Sequence, residues 1–178
     1  MAINRKIYGV EHPAVAMVLN NVRALFKKKG DYSKAEEMYR EALAIRRKIY
    51  GDDHPDVAKS LNNIAGLYKI KGDYFKAEEL YREALEIYMQ KLPEGHWLTA
   101  NTMSNIGDCL TKIERYQEAE IFLLESYQIL KDKFEEGDER VKTSLEFIID
   151  LYKAWDKPDK VVEYEALLTD TTAVSETQ

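Results

Sequence analysis

A 42-residue repeat is the feature that most constrains the fold of this 178-residue chain. Residues 13–54 and 55–96 are identical at 23 of 42 aligned positions, and residues 97–138 match the second copy at 11 of 42. Residues 139–168 form a degraded fourth copy, and residues 1–12 match the end of a copy. A repeat of this length predicts stacked supersecondary units that share one continuous core.

Each copy contains two stretches with helical periodicity. In the second copy, apolar residues recur every three or four positions over residues 57–68 and again over residues 77–88. Gly72 separates the stretches, because glycine readily adopts the left-handed backbone that ends a helix. Pro55 favours a helix start, because its backbone is preorganised for the first turn. Each period therefore predicts a helix, a tight turn, a second helix and a longer loop.

The segment LNNIAGLYKIKGDYFKAEELYREALEI, residues 61–87, resembles the tetratricopeptide repeat. The small and large positions of that family's pattern are occupied by Leu61, Ile64, Ala65, Tyr68, Gly72, Tyr74, Ala77, Tyr81 and Ala84. The 42-residue period, with GDDHP between copies, is similar to the kinesin-light-chain type, and similar long repeats occur in bacterial signalling proteins. The resemblance implies an all-α fold, a right-handed α-solenoid of antiparallel helix pairs.

The resemblance also implies a domain organisation. Residues 13–54, 55–96 and 97–138 are three repeats, and residues 1–12 are the end of a preceding repeat's helix. Residues 139–168 are a degenerate fourth repeat or a polar C-terminal cap. The third repeat departs from the pattern, since Leu110, Glu114 and Ser126 replace Tyr68, Gly72 and Ala84. Residues 169–178 lack an apolar period and are expected to be disordered.

No residue pattern indicates catalysis, a metal or a cofactor. His12, His54 and His96 could suggest zinc, but they are one repeat apart and stacking would separate them by about 10 Å. We therefore expect them to act in the turn or at the helix start. Cys109 has no histidine near it in sequence and is expected to be packed. The glutamates expected on a solvated outer face are Glu36, Glu37, Glu41, Glu78, Glu79, Glu83 and Glu86.

Charge and composition disfavour some classes of binding partner. A net charge of −6 disfavours nucleic acid, which selects clustered lysine and arginine. No apolar run approaches the ~18–20 residues of a membrane span. A single cysteine cannot form an intramolecular disulfide, which is typical of a reducing compartment. These features favour a cytoplasmic protein with a protein or peptide ligand and without a nucleic-acid or membrane partner.

The resemblance implies that the first helix of each repeat lines a concave groove. The residues expected to bind there are Asn20, Asn21, Lys27, Lys28, Lys59, Asn62, Asn63, Lys69, Asn101, Asn105 and Lys112. The same face is expected to include Ala24, Gly66, Ile70, Ser104, Asp108, Thr111, Asp150 and Lys153. Amides can pair with the backbone of an extended peptide, and lysines favour acidic segments. The predicted function is an interaction scaffold for an extended, acidic peptide.

Three alternatives remain open from the sequence. The asparagines could instead brace neighbouring helices. The chain could associate with copies of itself through its repeat ends, where Ile3, Ile7 and Tyr8 are apolar. It could also be a regulatory arm of a larger signalling protein.

Overall fold

The computed structural model describes residues 32–135 and 137–175, with side chains as far as residue 169. These residues form helices and connecting turns without any strand, so the all-α prediction is confirmed. The helices are α1 (Tyr32–Tyr50), α2 (Pro55–Lys71), α3 (Tyr74–Lys91), α4 (Trp97–Lys112), α5 (Tyr116–Lys133), α6 (Glu139–Ala154) and α7 (Pro158–Ser175).

The chain divides into two compact units, residues 1–92 and 93–178. In the first unit, α2 packs against both α1 and α3. In the second unit, each helix from α4 to α7 packs on the next, and α4 also packs on α6. Since α4 and α6 are the first helices of consecutive copies, their contact forms the layer of first helices that the repeat pattern predicts.

The tight turn inside each described repeat has one geometry despite its different sequences. Gly72, Glu114 and Asp156 all have left-handed backbones, with φ of 81°, 64° and 55°. In the second repeat Asp73 N donates to Tyr68 O at 3.0 Å, and in the third Arg115 N donates to Leu110 O at 2.9 Å. The turn therefore keeps its geometry without glycine. The left-handed backbone costs glutamate and aspartate conformational free energy that it does not cost glycine.

Small residues mark the places where paired helices approach most closely. Ala77 and Ala84 on α3 are completely buried, as the repeat pattern predicted. On α4, Gly107 occupies the position of Ala65, and a Cβ there would lie 2.5 Å from Leu123 Cγ of α5. That distance is far inside van der Waals contact, so the α4–α5 crossing requires glycine.

The last helix corrects one prediction. Residues 169–178 were expected to be disordered, but α7 continues to Ser175. The segment contains neither glycine nor proline, and the Thr169 hydroxyl donates to Glu165 O at 2.9 Å, so nothing local ends the helix. Among the helices of the described residues, none is long and apolar enough to cross a membrane. The apolar residues expected at the amino end, Ile3, Ile7 and Tyr8, lie outside those residues.

Candidate functional site

One side of α2 is open in an otherwise buried helix. Most of its interior residues are buried, including Leu61, Ile64 and Tyr68. The residues of its middle and last turns that remain exposed or half-exposed are Lys59, Asn62, Asn63, Gly66, Lys69 and Ile70, with Lys71 at the helix end. The first six recur at intervals of three and four, so they form one continuous stripe, which we call the α2 strip. These are the six residues that the repeat pattern assigned to the groove from this copy.

The two asparagines of the α2 strip differ in their surroundings. Burial raises the pKa of Tyr88 on α3 to about 12, and the Asn62 side chain beside it opposes that rise. Asn62 therefore lies on the side of α2 that faces α3. Asn63 instead faces an apolar depression between α1 and α2, whose lining residues are Tyr32, Ala35, Tyr39, Asn63, Gly66, Leu67 and Ile70.

The face of α4 is only partly open. Asn101 and Asn105 are half-exposed and Lys112 is exposed, at intervals of four and seven residues. Three further residues expected in the groove, Ser104, Asp108 and Thr111, are buried instead. The burial of Ser104 and Thr111 follows from local chemistry, because small hydroxyl side chains can find partners inside a helical layer. The Ser104 hydroxyl donates to Ser126 Oγ of α5 at 2.9 Å, and the Thr111 hydroxyl donates to Gly107 O at 2.9 Å.

Part of the α4 face is also committed to contacts within the chain. The Asn105 side-chain amide donates to Asn101 O, one turn earlier, at 2.9 Å. Lys112 Nζ lies 3.9 Å from Asp150 Oδ2 of α6. On α6 itself, Lys153 Nζ is paired with Glu165 Oε1 of α7 at 2.7 Å. The second unit therefore already offers carboxylates to its groove lysines.

The first-repeat residues of the predicted site cannot be placed. Asn20, Asn21, Ala24, Lys27 and Lys28 lie outside the described residues. The structure thus places Lys59, Asn62, Asn63 and Lys69 together on α2, and Asn101, Asn105 and Lys112 together on α4.

The histidines act at helix starts, as predicted for His54 and His96. His54 Nδ1 accepts a hydrogen bond from Asp56 N at 3.1 Å at the start of α2. His96 Nδ1 accepts from Leu98 N at 3.1 Å at the start of α4. His12 lies outside the described residues. In the described part of the chain, no group of three or more His, Cys, Asp and Glu side chains is arranged to hold a metal ion.

Two of the glutamates expected on the solvated face are in a different environment. Glu78 is buried and paired with Arg82, whose Nε lies 2.8 Å from Glu78 Oε1. Glu36 accepts a hydrogen bond from the Tyr68 hydroxyl of α2 at 2.5 Å. The prediction is wrong for Glu36 because α1 also packs against α2, the first helix of the next repeat. A glutamate on that side can bond to it.

The Glu36–Tyr68 contact is part of a polar cluster that we call the inter-repeat clasp. Arg40 Nη2 donates to the Tyr68 hydroxyl at 3.0 Å, and Lys71 Nζ lies 3.2 Å from Glu36 Oε2. The hydrogen bond from Tyr68, supported by Lys71 and Arg40 and opposed by burial, lowers the pKa of Glu36 to about 2. The cluster therefore holds a charged carboxylate between consecutive repeats.

The same contact recurs in the second unit. The Tyr152 hydroxyl of α6 donates to Glu120 Oε1 of α5 at 2.8 Å. Both pairs have the same separation, 32 residues, and that spacing was visible in the sequence as a signal. The third copy has Leu110 at the tyrosine position and so lacks the hydroxyl.

Cys109 lies in α4 and is completely buried, as predicted. A buried thiol in a helical layer behaves as a small apolar side chain. Together with the helix pairs, the continuous strips and the repeated caps, this packing defines a helical repeat protein.

The comparisons with known proteins assign the family. The family model for the tetratricopeptide repeat matches residues 1–48, 23–89 and 56–132. Because these matches together cover more than half of the chain, it belongs to the tetratricopeptide repeat family. No curated protein matches the chain in sequence.

Solved structures with the same fold come from several organisms. Nearly identical TPR-like repeats assigned to a kinesin light chain of Podosopora anserina align over 99% of this chain and 84% of that chain. Their identity is 19% and the TM-score is 0.76. BtubC (BKLC) from P. vanneervenii aligns over 94% of this chain and 67% of that chain, with 21% identity and a TM-score of 0.80. For pilF of Pseudomonas aeruginosa the coverages are 87% and 60%, with 19% identity and a TM-score of 0.58.

These likenesses confirm the sequence-based assignment to an all-α solenoid with kinesin-light-chain-type repeats. Repeats of this family generally mediate interactions between proteins, and the fold is a typical non-catalytic scaffold.

Proposed function

We propose that this protein binds an extended, acidic peptide segment along its first helices, with the α2 strip as the main contact, and that it does so in the cytoplasm without catalysing a reaction. The observation that carries the proposal is the composition of the α2 strip. An amide, two lysines and a glycine are exposed or half-exposed together on a helix whose other central positions are buried. Residues of these types are suited to contact a ligand backbone.

Each part of the α2 strip would have a separate role. The amide of Asn63 has both donors and an acceptor, so it can pair with a peptide backbone whatever its side chains. Gly66 lacks a side chain and lets a backbone come close, and the neighbouring depression offers an apolar surface to one ligand side chain. Lys59 is exposed and would favour a carboxylate on the ligand.

The charges of the second unit indicate which lysines would select an acidic ligand. Lys112 and Lys153 already lie close to Asp150 and Glu165. An acidic ligand would have to compete with those carboxylates, whereas Lys59 lies on the α2 strip at an exposed position. We therefore assign the selection of acidic ligands to the α2 strip rather than to α4 or α6.

The test separates backbone contacts from charge contacts. Acidic and neutral peptides obtained by display selection would be titrated by fluorescence anisotropy. Asn63→Ala should weaken both classes by about 1–3 kcal/mol, because a ligand hydrogen bond is lost in a partly desolvated site. Lys59→Ala should weaken only acidic peptides, and the loss should shrink as salt screens exposed charges.

Two exposed residues of second helices provide matched controls. Gln90→Ala removes an amide from α3, and Lys160→Ala removes a positive charge from α7. Both controls should bind like the unmodified protein. If Asn63→Ala and Gln90→Ala bind every selected peptide equally well, the α2 strip is not the binding site.

A further inference from the structure

Three helices of the described chain start with the same capping bond, made by different chemical groups. His54 and His96 accept a backbone N–H two residues later through Nδ1, both at 3.1 Å. Asp138, one repeat after His96, accepts from Arg140 N through Oδ1 at 2.9 Å. All three capping residues have the extended backbone of an N-cap, with ψ of 141°, 134° and 133°.

An imidazole can make this bond only when it is neutral. In the protonated ring both nitrogens carry hydrogen, so Nδ1 can no longer accept. The added positive charge would also lie at the helix N-terminus, where the helix dipole disfavours cations. Histidine is the side chain that changes charge within the physiological pH range, whereas a carboxylate cap does not. In the third of these caps, hydrogen bonds from Arg140 lower the pKa of Asp138 to about 2.

We propose that His96 makes the start of α4 a pH-sensitive element, which loosens as the medium becomes mildly acidic. The cap lies one turn before Ala100 and Asn101, so its loss would free the first turn of a helix that contributes to the candidate groove. This inference concerns the fold and does not depend on a ligand being bound there.

Charged groups of α5, α6 and the preceding loop lie around His96. From α5, Lys133 Nζ donates to Gly95 O, the residue before the cap, at 3.4 Å. From α6, the Arg140 guanidinium lies 5.4 Å from the Trp97 ring, and that ring stacks on His96 at 6.0 Å. The carboxylate of Asp138 is occupied by Arg140. Glu94 lies in the same loop and is exposed.

His54 provides an internal comparison, because its neighbours differ. Asp56 Oδ2 lies 3.7 Å from His54 Nδ1, so a carboxylate is available to a protonated ring. The Tyr50 ring of α1 stacks on His54 at 4.4 Å, and the nearby Asp53 is paired with Lys91 of α3 at 2.6 Å. Protonation at His54 therefore exchanges one favourable contact for another, and its pH effect should be smaller.

The experiment compares thermal midpoints of the full chain at about pH 7.5 and about pH 5.5, which bracket the titration of histidine. His96→Asn retains a capping oxygen but cannot be protonated. The unmodified protein should lose about 2–4 °C more than His96→Asn on acidification, which corresponds to one cap in a chain of this size. His54→Asn should reduce the acid-induced loss less than His96→Asn does.

A second measurement does not depend on the variants. In an NMR pH titration, the Leu98 amide should shift together with the His96 ring signals. Equal acid-induced losses in the unmodified protein and His96→Asn would overturn the proposal. So would a Leu98 amide that does not follow the titration of His96.

Discussion

The inter-repeat clasp allows a specific prediction about stability, made with Glu36→Gln. The substitution keeps the shape of the side chain but removes the charge that receives the Tyr68 hydroxyl at 2.5 Å. Glu36 is 22% exposed, whereas its ionic partners Arg40 and Lys71 are 53% and 35% exposed. Exposed ion pairs contribute about 0–1 kcal/mol, so the hydroxyl bond should dominate the effect.

The expected loss of stability follows from the greater contribution of the hydroxyl bond. A hydrogen bond to a charged group contributes about 1.5–3 kcal/mol, so we expect the free energy of unfolding to fall by that amount near neutral pH. Tyr68→Phe should produce most of the same loss. The double variant should lose less than the sum, because the two residues share one interaction. Urea denaturation followed by far-UV circular dichroism measures all three values.

The pH dependence has a definite sign. The pKa of Glu36 falls from 4.5 to about 2 on folding, so its contribution is complete above the unfolded pKa and is lost as the pH falls toward 2. The difference between the unmodified protein and Glu36→Gln should therefore shrink between about pH 5 and pH 3. Glu37→Gln, an exposed neighbour on α1, is the matched control and should cost little at either pH. Equal losses for Glu36→Gln and Glu37→Gln would refute the reasoning.

Two further predictions concern backbone positions. Gly107→Ala should destabilise the protein by about 1–3 kcal/mol in the same denaturation assay, because its Cβ would overlap Leu123. Gly66→Ala, whose Cβ would meet only Tyr81 Oη at 3.4 Å, should be neutral or stabilising, and a larger loss at Gly66 than at Gly107 would contradict this account. Glu114→Gly should stabilise by up to about 1 kcal/mol, since φ there is 64°, and an unchanged midpoint would argue against backbone strain at the turn.

Most of the fold was predictable because successive copies carry the same helix and turn signals. Helix starts at Pro55 and Trp97 follow histidines at equivalent positions, and the periodicity of buried residues gives the inward face of each helix. The extent of α7 was not predictable from apolar period, since the residues after Leu168 have none, although the helix continues to Ser175.

The candidate site was predictable in part. On α2, periodicity identifies the exposed strip, but it cannot distinguish Asn62, which lies beside Tyr88, from Asn63, which lines an open depression. The difference depends on which residue of the paired helix lies opposite. On α4, the sequence did not reveal that Ser104 pairs with Ser126 inside the layer, since serine has no strong preference for either environment.

The sequence contains a signal for the inter-repeat clasp. Glu36 with Tyr68, and Glu120 with Tyr152, repeat at the same separation of 32 residues. The motif of the family alone does not reveal it, because that motif describes each repeat by itself. A contact between repeats requires residues of two copies to be considered together.

The central claim, that the α2 strip binds an extended acidic peptide, is tested most directly by NMR mapping. An acidic peptide from display selection would be titrated into isotopically labelled protein while the backbone amide resonances are followed. We expect the largest shifts at Lys59, Asn63 and Gly66 on the α2 strip, with little change at the exposed Glu83 and Glu86 of α3. Shifts concentrated on α3, with the α2 strip unchanged, would contradict the account.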